Sequence, residues 1–278
     1  MTNTKEKIST KNEIQRFSKE NFSLSKSVKE KLRTDLEITW CPGCPNFMIL
    51  ESVKQALAGL IDSGEYKQTD FAITADIGCN SKIFDYLNLS GIYGLHGRSV
   101  ATALGVVLGN PKLKVLAFIG DGGCYDEGIS HFIHTLRYNK DMTIIVHDNQ
   151  DFSLTTGQPT ATSQQGYKSK AMPDGEKFRP INPVKLALAS NASFIARCNA
   201  RDIKHTAEIL EKAIKHKGCS FVEIIQDCLI FNTEIGNKDS LMYKIKDNKD
   251  KKHAEELASE WDYNSKQGKI PLGIIYEE

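Results

Sequence analysis

Two groups of residues in this chain have the types and spacing to do chemistry. The first is a pair of oxygen donors. Asp121 stands in Gly120-Asp121-Gly122-Gly123, just past an apolar run at 115–119. Asn149 stands in His147-Asp148-Asn149-Gln150, just past a second apolar run at 143–147. If both runs are strands and lie side by side in parallel, their ends bring the two side chains together. A carboxylate and an amide oxygen are hard ligands suited to Mg²⁺, which prefers octahedral oxygen. The carbonyl of Asp151 would complete the protein's share, with diphosphate oxygens and water filling the rest. Glycines at 120, 122 and 123 would let backbone N–H groups approach phosphate oxygens closely. A Gly-Asp-Gly alone is often only a turn; the Asn-bearing strand end at this distance gives it weight. The chain has neither the GxGxxG nor the GxxxxGK[ST] pattern, so NAD and ATP are poorer candidates than another diphosphate.

The second group is thiols. Trp40-Cys41-Pro42-Gly43-Cys44 is a C-x-x-C ahead of a helical pattern, Cys79 follows an apolar run, and Cys228 follows another. Four thiolates of this kind suit a 4Fe–4S cluster or a structural Zn²⁺. A redox-active dithiol at Cys41 and Cys44 is a third reading, because C-x-x-C by itself is weakly specific. Spacing does not force the choice, since Cys124, Cys198 and Cys219 are also present. Cys198 and Cys219 read as small core or edge residues of strands, and Cys124, beside the glycines, as a pocket wall.

The elements that must position these groups alternate along the chain. Apolar, β-rich runs at 71–77, 115–119, 143–147, 193–196 and 221–225 are separated by helical patterns at 99–108, 127–139, 183–190 and 202–215. A further amphipathic helix is expected at 46–63. This alternation predicts an α/β fold: a mostly parallel sheet with helices on both faces, and sites where strands end. Residues 154–183 form a long stretch of Thr, Gln, Gly, Pro and Lys without period, the kind of loop that is usually functional. Three regions are expected: a polar N-terminal arm at 1–36 with a short helix near 28–36, a main domain at 37–236, and a linker and tail at 237–278. The tail ends in an apolar patch that can dock back or meet a partner.

The 278 residues carry 36 Lys+Arg against 35 Asp+Glu, so no basic field argues for nucleic acid. No apolar run approaches the length of a membrane span. The polar first residues hold no signal-peptide core, which points to the cytoplasm, where the seven cysteines would stay reduced.

Taken together, the motifs resemble the β subunit of 2-oxoacid:ferredoxin oxidoreductases. The likeness runs from about Trp40 to Asn232 through WCPGCPNF (40–47), DIGC (76–79), YGLHGR (93–98), GDGG (120–123), HFIH (131–134), HDNQ (147–150), LTTGQPTATS (154–163) and the Cys228 strand end. It implies a thiamine-diphosphate-binding fold of the pyrophosphate type. It further implies a 4Fe–4S cluster on Cys41, Cys44, Cys79 and Cys228, and Mg²⁺ on Asp121, Asn149 and the Asp151 carbonyl. Gly78, His96, Gly97, Arg98, Gly120, Gly122, Gly123, Cys124 and Leu154 would line the cofactor pocket. The implied reaction is CoA-dependent oxidative decarboxylation of a 2-oxo acid, with electrons passing through the cluster to ferredoxin. The carboxylate that activates the thiamine would come from an α (or fused α–γ) subunit, so this chain alone would be inactive; a dimer of α–β pairs is expected. Lys82 is a candidate for the substrate carboxylate, against an ordinary exposed lysine. Thr156 stands where some relatives carry Lys, which disfavours a dicarboxylate and leaves pyruvate and branched-chain 2-oxo acids open. The sequence departs from the family pattern at Asp227, often Pro, at 151–155, and at Gly123, often Asp. The competing readings are a thiamine-dependent decarboxylase or synthase without electron transfer, and a zinc-stapled module without enzymatic activity.

Overall fold

The computed structural model describes residues 27–233, 236–264 and 268–278. The arm expected at 1–36 lies outside the described residues up to position 26. From Ser27 the chain is held against the domain. Ser27 caps the short helix α1 (Val28–Lys31) reciprocally with Glu30, and Leu32 is fully buried.

Helix α2 (Asn46–Asp62) leads to strand β1 (Phe71–Ala75), the short α3 (Ile83–Tyr86) and β2 (Ser90–Tyr93). Then come α4 (Ser99–Gly109), β3 (Lys114–Gly120), α5 (Ile129–Tyr138) and β4 (Met142–Asp148). A small hairpin of β5 (Asp151–Phe152) and β6 (Gln158–Pro159) precedes α6 (Pro183–Ala189), β7 (Phe194–Asn199), α7 (Ile203–Lys215) and β8 (Cys219–Ile225). The chain ends with β9 (Met242–Lys244), α8 (Lys251–Ser259) and β10 (Ile270–Glu277).

Eight strands form one sheet in the order β2-β1-β3-β4-β8-β7-β10-β9. Every neighbouring pair is parallel except β10 with β7. The period of two splits each central strand between two cores. On β3, Leu116 and Phe118 join the core beneath α2 and α7, while Val115, Ala117 and Ile119 join the core beneath α4, α5, α6 and α8. Ile145 of β4 faces the first core, and Ile144 and Val146 face the second. These strands therefore read as unbroken apolar runs, as a sheet covered on both faces requires.

Local chemistry sets the helix ends. Asn182 and Asp202 cap α6 and α7 by accepting from Lys185 N–H and His205 N–H, and Pro183 fills the first turn of α6. Asn139 ends α5 in a left-handed conformation.

Residues 237–278 are not a linker with a loose tail. They supply β9, α8 and β10, and the apolar terminal patch is the strand that pairs with β7. The buried Trp261 and Tyr263 rings stack at 4.0 Å and lie against the guanidinium of the buried Arg197. Arg197 Nε donates to Glu223 at 2.7 Å, so the tail seals the only charged pair that is fully buried on both sides among the described residues.

Candidate functional site

The order β1-β3-β4-β8 places four sequence segments side by side at the C-terminal ends of neighbouring strands. They are Asp76–Cys79 after β1, Gly120–Gly123 after β3, Asn149–Asp151 after β4 and Gln226–Cys228 after β8. Ligands collect at such strand ends in open α/β sheets.

After β3 the chain turns at once into a widened helical turn, Gly123–Glu127, that feeds α5. The tightness of this turn requires glycine: a Cβ on Gly123 would stand 2.1 Å from Asp76 Oδ2. Asp76 is itself fully buried; Asn80 and Ser81 donate to its Oδ1 at 2.8 and 2.7 Å, and the Gly97 N–H donates to Oδ2. Gly97 has φ +67°, and a Cβ there would press on Glu127. The DIGC, HGR and GDGG segments are thus packed backbone to backbone.

Asp121 is buried, and its Oδ2 accepts from Thr160 Oγ1 at 2.6 Å and Thr162 Oγ1 at 3.0 Å. Burial pushes its carboxyl up to about 8. The Thr160 and Thr162 hydroxyls oppose that rise, and Asp151 and Asp126 add to it by repulsion. Asp151 is likewise raised by burial, to about 6, and Asp148 is raised well above the usual range by burial and by the charges of Asp121 and Glu223. Asp148 Oδ2 and Asp151 Oδ2 are buried without a hydrogen-bond partner. Of these, Asp121 and Asp151 line the same cavity, where a carboxylate oxygen can serve as a hard-cation ligand. Asn149 is fixed beside them: its amide nitrogen donates to Ser153 Oγ at 2.6 Å, and its Oδ1 accepts from the Asp151 N–H.

Asp121, Asn149, Asp151 and Ser153 line a cavity that also includes Gly78, Cys79, His96, His147, Phe152 and Leu154. A second cavity is lined by Cys41, Cys44, Cys79 and Cys228. The two share Cys79, Asn149, Ser153, Leu154 and Gln226 as wall. Cys228 is presented on a closed turn in which Cys228 and Asn232 bond each other's backbone, and the Phe231 N–H points at its sulfur at 3.4 Å. Asn232 in turn donates to the Asn149 carbonyl at 3.0 Å, tying the thiol turn to the oxygen-donor loop. Asp227 is held by two 2.8 Å contacts from Arg201, which accounts for a carboxylate beside the thiol. Among the described residues, no group of three or more His, Cys, Asp or Glu side chains stands ready-made around a metal ion's position.

Several expected positions fall elsewhere. Cys124 is fully buried in the core beneath the turn and does not line the cavity wall. Arg98 points along the surface, where Nη1 donates to the Glu127 carbonyl at 2.8 Å, so it braces the turn from outside. Gly97 acts through its N–H on Asp76 rather than on the cavity. Thr156 is exposed at a left-handed turn apex, and its neighbour Thr155 faces the cavity instead. Lys82 lines the thiol cavity, with Nζ donating to the Thr39 carbonyl. His96 lines the first cavity, 3.0 Å from the Glu127 carboxylate. Cys198 and Cys219 are core residues.

Residues 76–224 match the family described as thiamine pyrophosphate enzyme, C-terminal TPP binding domain. The chain is 35% identical over 261 residues to the β subunit of 2-oxoacid:ferredoxin oxidoreductase 1 of Aeropyrum pernix, covering 88% of this chain and 79% of that one. The chain belongs to the β-subunit family of 2-oxoacid:ferredoxin oxidoreductases. The β subunit of Saccharolobus solfataricus is 40% identical over 212 residues, covering 74% of this chain and 68% of its own. A solved structure described as 2-oxoglutarate:ferredoxin oxidoreductase from Magnetococcus marinus, with 2-oxoglutarate, coenzyme A and succinyl-CoA bound, superposes with a TM-score of 0.84. It is 31% identical, over 92% of this chain and 87% of that one. The chain is therefore an oxidoreductase subunit with a thiamine pyrophosphate-binding domain. Within this β-subunit family, Asp121 and Asn149 lie inside the thiamine-domain match, whereas Cys41, Cys44 and Cys228 lie outside it on either side.

Sequence reasoning gave no role to Asp76, Asn80, Thr160, Thr162, Asn46 or His147. A signal existed for three of them. Thr160 and Thr162 sit in the long loop that lacked a period, and Asn46 lies two positions after the C-x-x-C.

Proposed function

We propose that this chain holds thiamine diphosphate, Mg²⁺ and one 4Fe–4S cluster, and that with its α subunit it oxidises a 2-oxo acid in the presence of coenzyme A and passes the electrons to ferredoxin. The observation that carries this reading is the shared wall between the Asp121 cavity and the four-cysteine cavity. A redox centre must lie beside the site where electrons are released.

The residues fit each group. Asp121, Asn149 and the Asp151 carbonyl would hold Mg²⁺, and the backbone from Gly120 to Gly123 would meet the diphosphate. Cys41, Cys44, Cys79 and Cys228 would hold the cluster. Bound thiamine diphosphate supplies an electron sink for decarboxylation. The chain's own residues do the positioning. Thr160 and Thr162 aim the Asp121 carboxylate, Ser153 orients Asn149, and the Phe152 ring packs beside His96 in the cavity wall. The cavity mouth exposes Ile77, Leu154 and Ile230, the face we assign to the α subunit in a dimer of α–β pairs. Seven free cysteines fit a reducing cytoplasm.

Anaerobic purification of the co-expressed subunits tests the reading. A brown protein with iron and labile sulfide near about four each per chain is the expected result. A colourless protein with one zinc would overturn it. Asp121→Ala should abolish thiamine-diphosphate binding by calorimetry and leave iron content intact; unchanged affinity would reject the oxygen-donor assignment.

A further inference from the structure

The two cavities are joined by one hydrogen bond. His147 Nδ1 lies 2.8 Å from Asn46 Oδ1, and both side chains are almost completely buried. An amide oxygen only accepts, so Nδ1 carries the proton and Nε2 presents a lone pair. That Nε2 is buried and has no partner among the described residues, and His147 lines the Asp121 cavity. Buried acceptors are rarely left unmet. On the other side, Asn46 lines the thiol cavity together with Cys44, two positions before it in the chain. Asn46 opens helix α2 two positions after the C-x-x-C, and His147 lies in β4 opposite Gly120 of β3. Both ends of the link therefore stand on rigid elements.

We propose that His147 and Asn46 form a positioning relay. His147 Nε2 accepts a hydrogen bond from an N–H or O–H of the thiamine cofactor bound in the Asp121 cavity, and Asn46 transmits the placement of that ring to the sulfur of Cys44. The proposal rests on the reading of both cavities given above. It adds that the two cofactors sense each other through side chains that ligate neither. Hydrogen bonds to cluster sulfurs are one lever on reduction potential. The relay therefore makes the cluster's potential depend on a residue that does not touch it.

Two substitutions in the co-expressed enzyme separate the halves. His147→Asn keeps an amide where Nδ1 stood, and so the contact with Asn46, but removes the Nε2 acceptor. It should weaken thiamine-diphosphate binding about tenfold by calorimetry, the loss of one buried hydrogen bond, with the cluster's potential unchanged. His147→Gln places an amide oxygen near the Nε2 position and gives up the Asn46 contact. It should retain cofactor affinity while the reduced cluster's resonance spectrum and midpoint potential shift. Wild-type affinity in His147→Asn would show that water, not the cofactor, meets Nε2 and would overturn the proposal. So would an unshifted potential in His147→Gln, or equal loss of cofactor, iron and thermal stability in both variants. The last pattern belongs to a purely structural histidine. Iron-free wild-type protein would sink the proposed function and the relay together, whereas iron-replete wild type with indifferent variants would sink the relay alone.

Discussion

At the scale of single residues, the site is organised by what surrounds Asp121. Its carboxyl is raised because it is buried, and the Thr160 and Thr162 hydroxyls work against that rise. An unfolded aspartate titrates near about 3.9, so between that pH and about 8 the folded, cofactor-free chain binds more protons than the unfolded one. The stability that Asp121 contributes falls as pH rises through that window. Bound Mg²⁺ with thiamine diphosphate compensates the carboxylate and should remove most of the loss. Thermal melts at about pH 6 and about pH 8.5, with and without the cofactor, check this; a loss of the same size in both series would contradict it. Thr160→Val removes one hydrogen bond to that carboxylate and should weaken Mg²⁺-dependent cofactor binding about tenfold. Asp121 and Asn149 were readable from sequence because a strand end fixes where the next residue's backbone lies. Arg98, Cys124 and Thr156 were not, although each stands within a few positions of the site. Proximity along the chain says nothing of the direction a side chain takes once a widened turn or a left-handed residue intervenes. Thr160 and Thr162 were hidden for the opposite reason, because their bonds to Asp121 cross 39 and 41 positions.

At the scale of elements, the long runs of β1, β3, β4, β7 and β8 were legible because burial on both faces makes most of their positions apolar, with few buried polar exceptions such as Arg197 and Glu223. Strand β2 was not: its four residues are all exposed and it lies at the sheet's edge. Strand β9 has only three residues, and α8 sits within a lysine-rich stretch that composition alone marks as solvated. Strand β10 was legible only as an apolar patch that could dock back or meet a partner, because its partner, β7, lies about eighty residues earlier. Its apolar residues nevertheless belong to the main cores. Ile274 is fully buried in the core beneath α2 and α7, and Ile274→Ala should cost about 2–5 kcal/mol in urea unfolding. A cost below about 0.5 kcal/mol would mean that β10 is peripheral after all.

At the scale of the molecule, the proposed reaction would need an activating carboxylate from the α subunit, and Ile77, Leu154 and Ile230 are exposed apolar side chains at the two cavities. The expected outcome is that this chain, expressed alone, turns over no 2-oxo acid with either ferredoxin or an artificial acceptor, and that added α subunit restores turnover. Activity of the isolated chain would show that the activating carboxylate is its own.

The placement of the thiols also bears on how the protein is made. Cys41 and Cys44 leave the ribosome early, ahead of the whole sheet, while Cys228 follows β8, the strand that must insert between β4 and β7. Domains fold as units while synthesis proceeds from the N-terminus, so the four thiols can meet only after most of the chain has emerged. On the proposed reading of these thiols, iron loading would then be a late maturation step on a nearly finished fold.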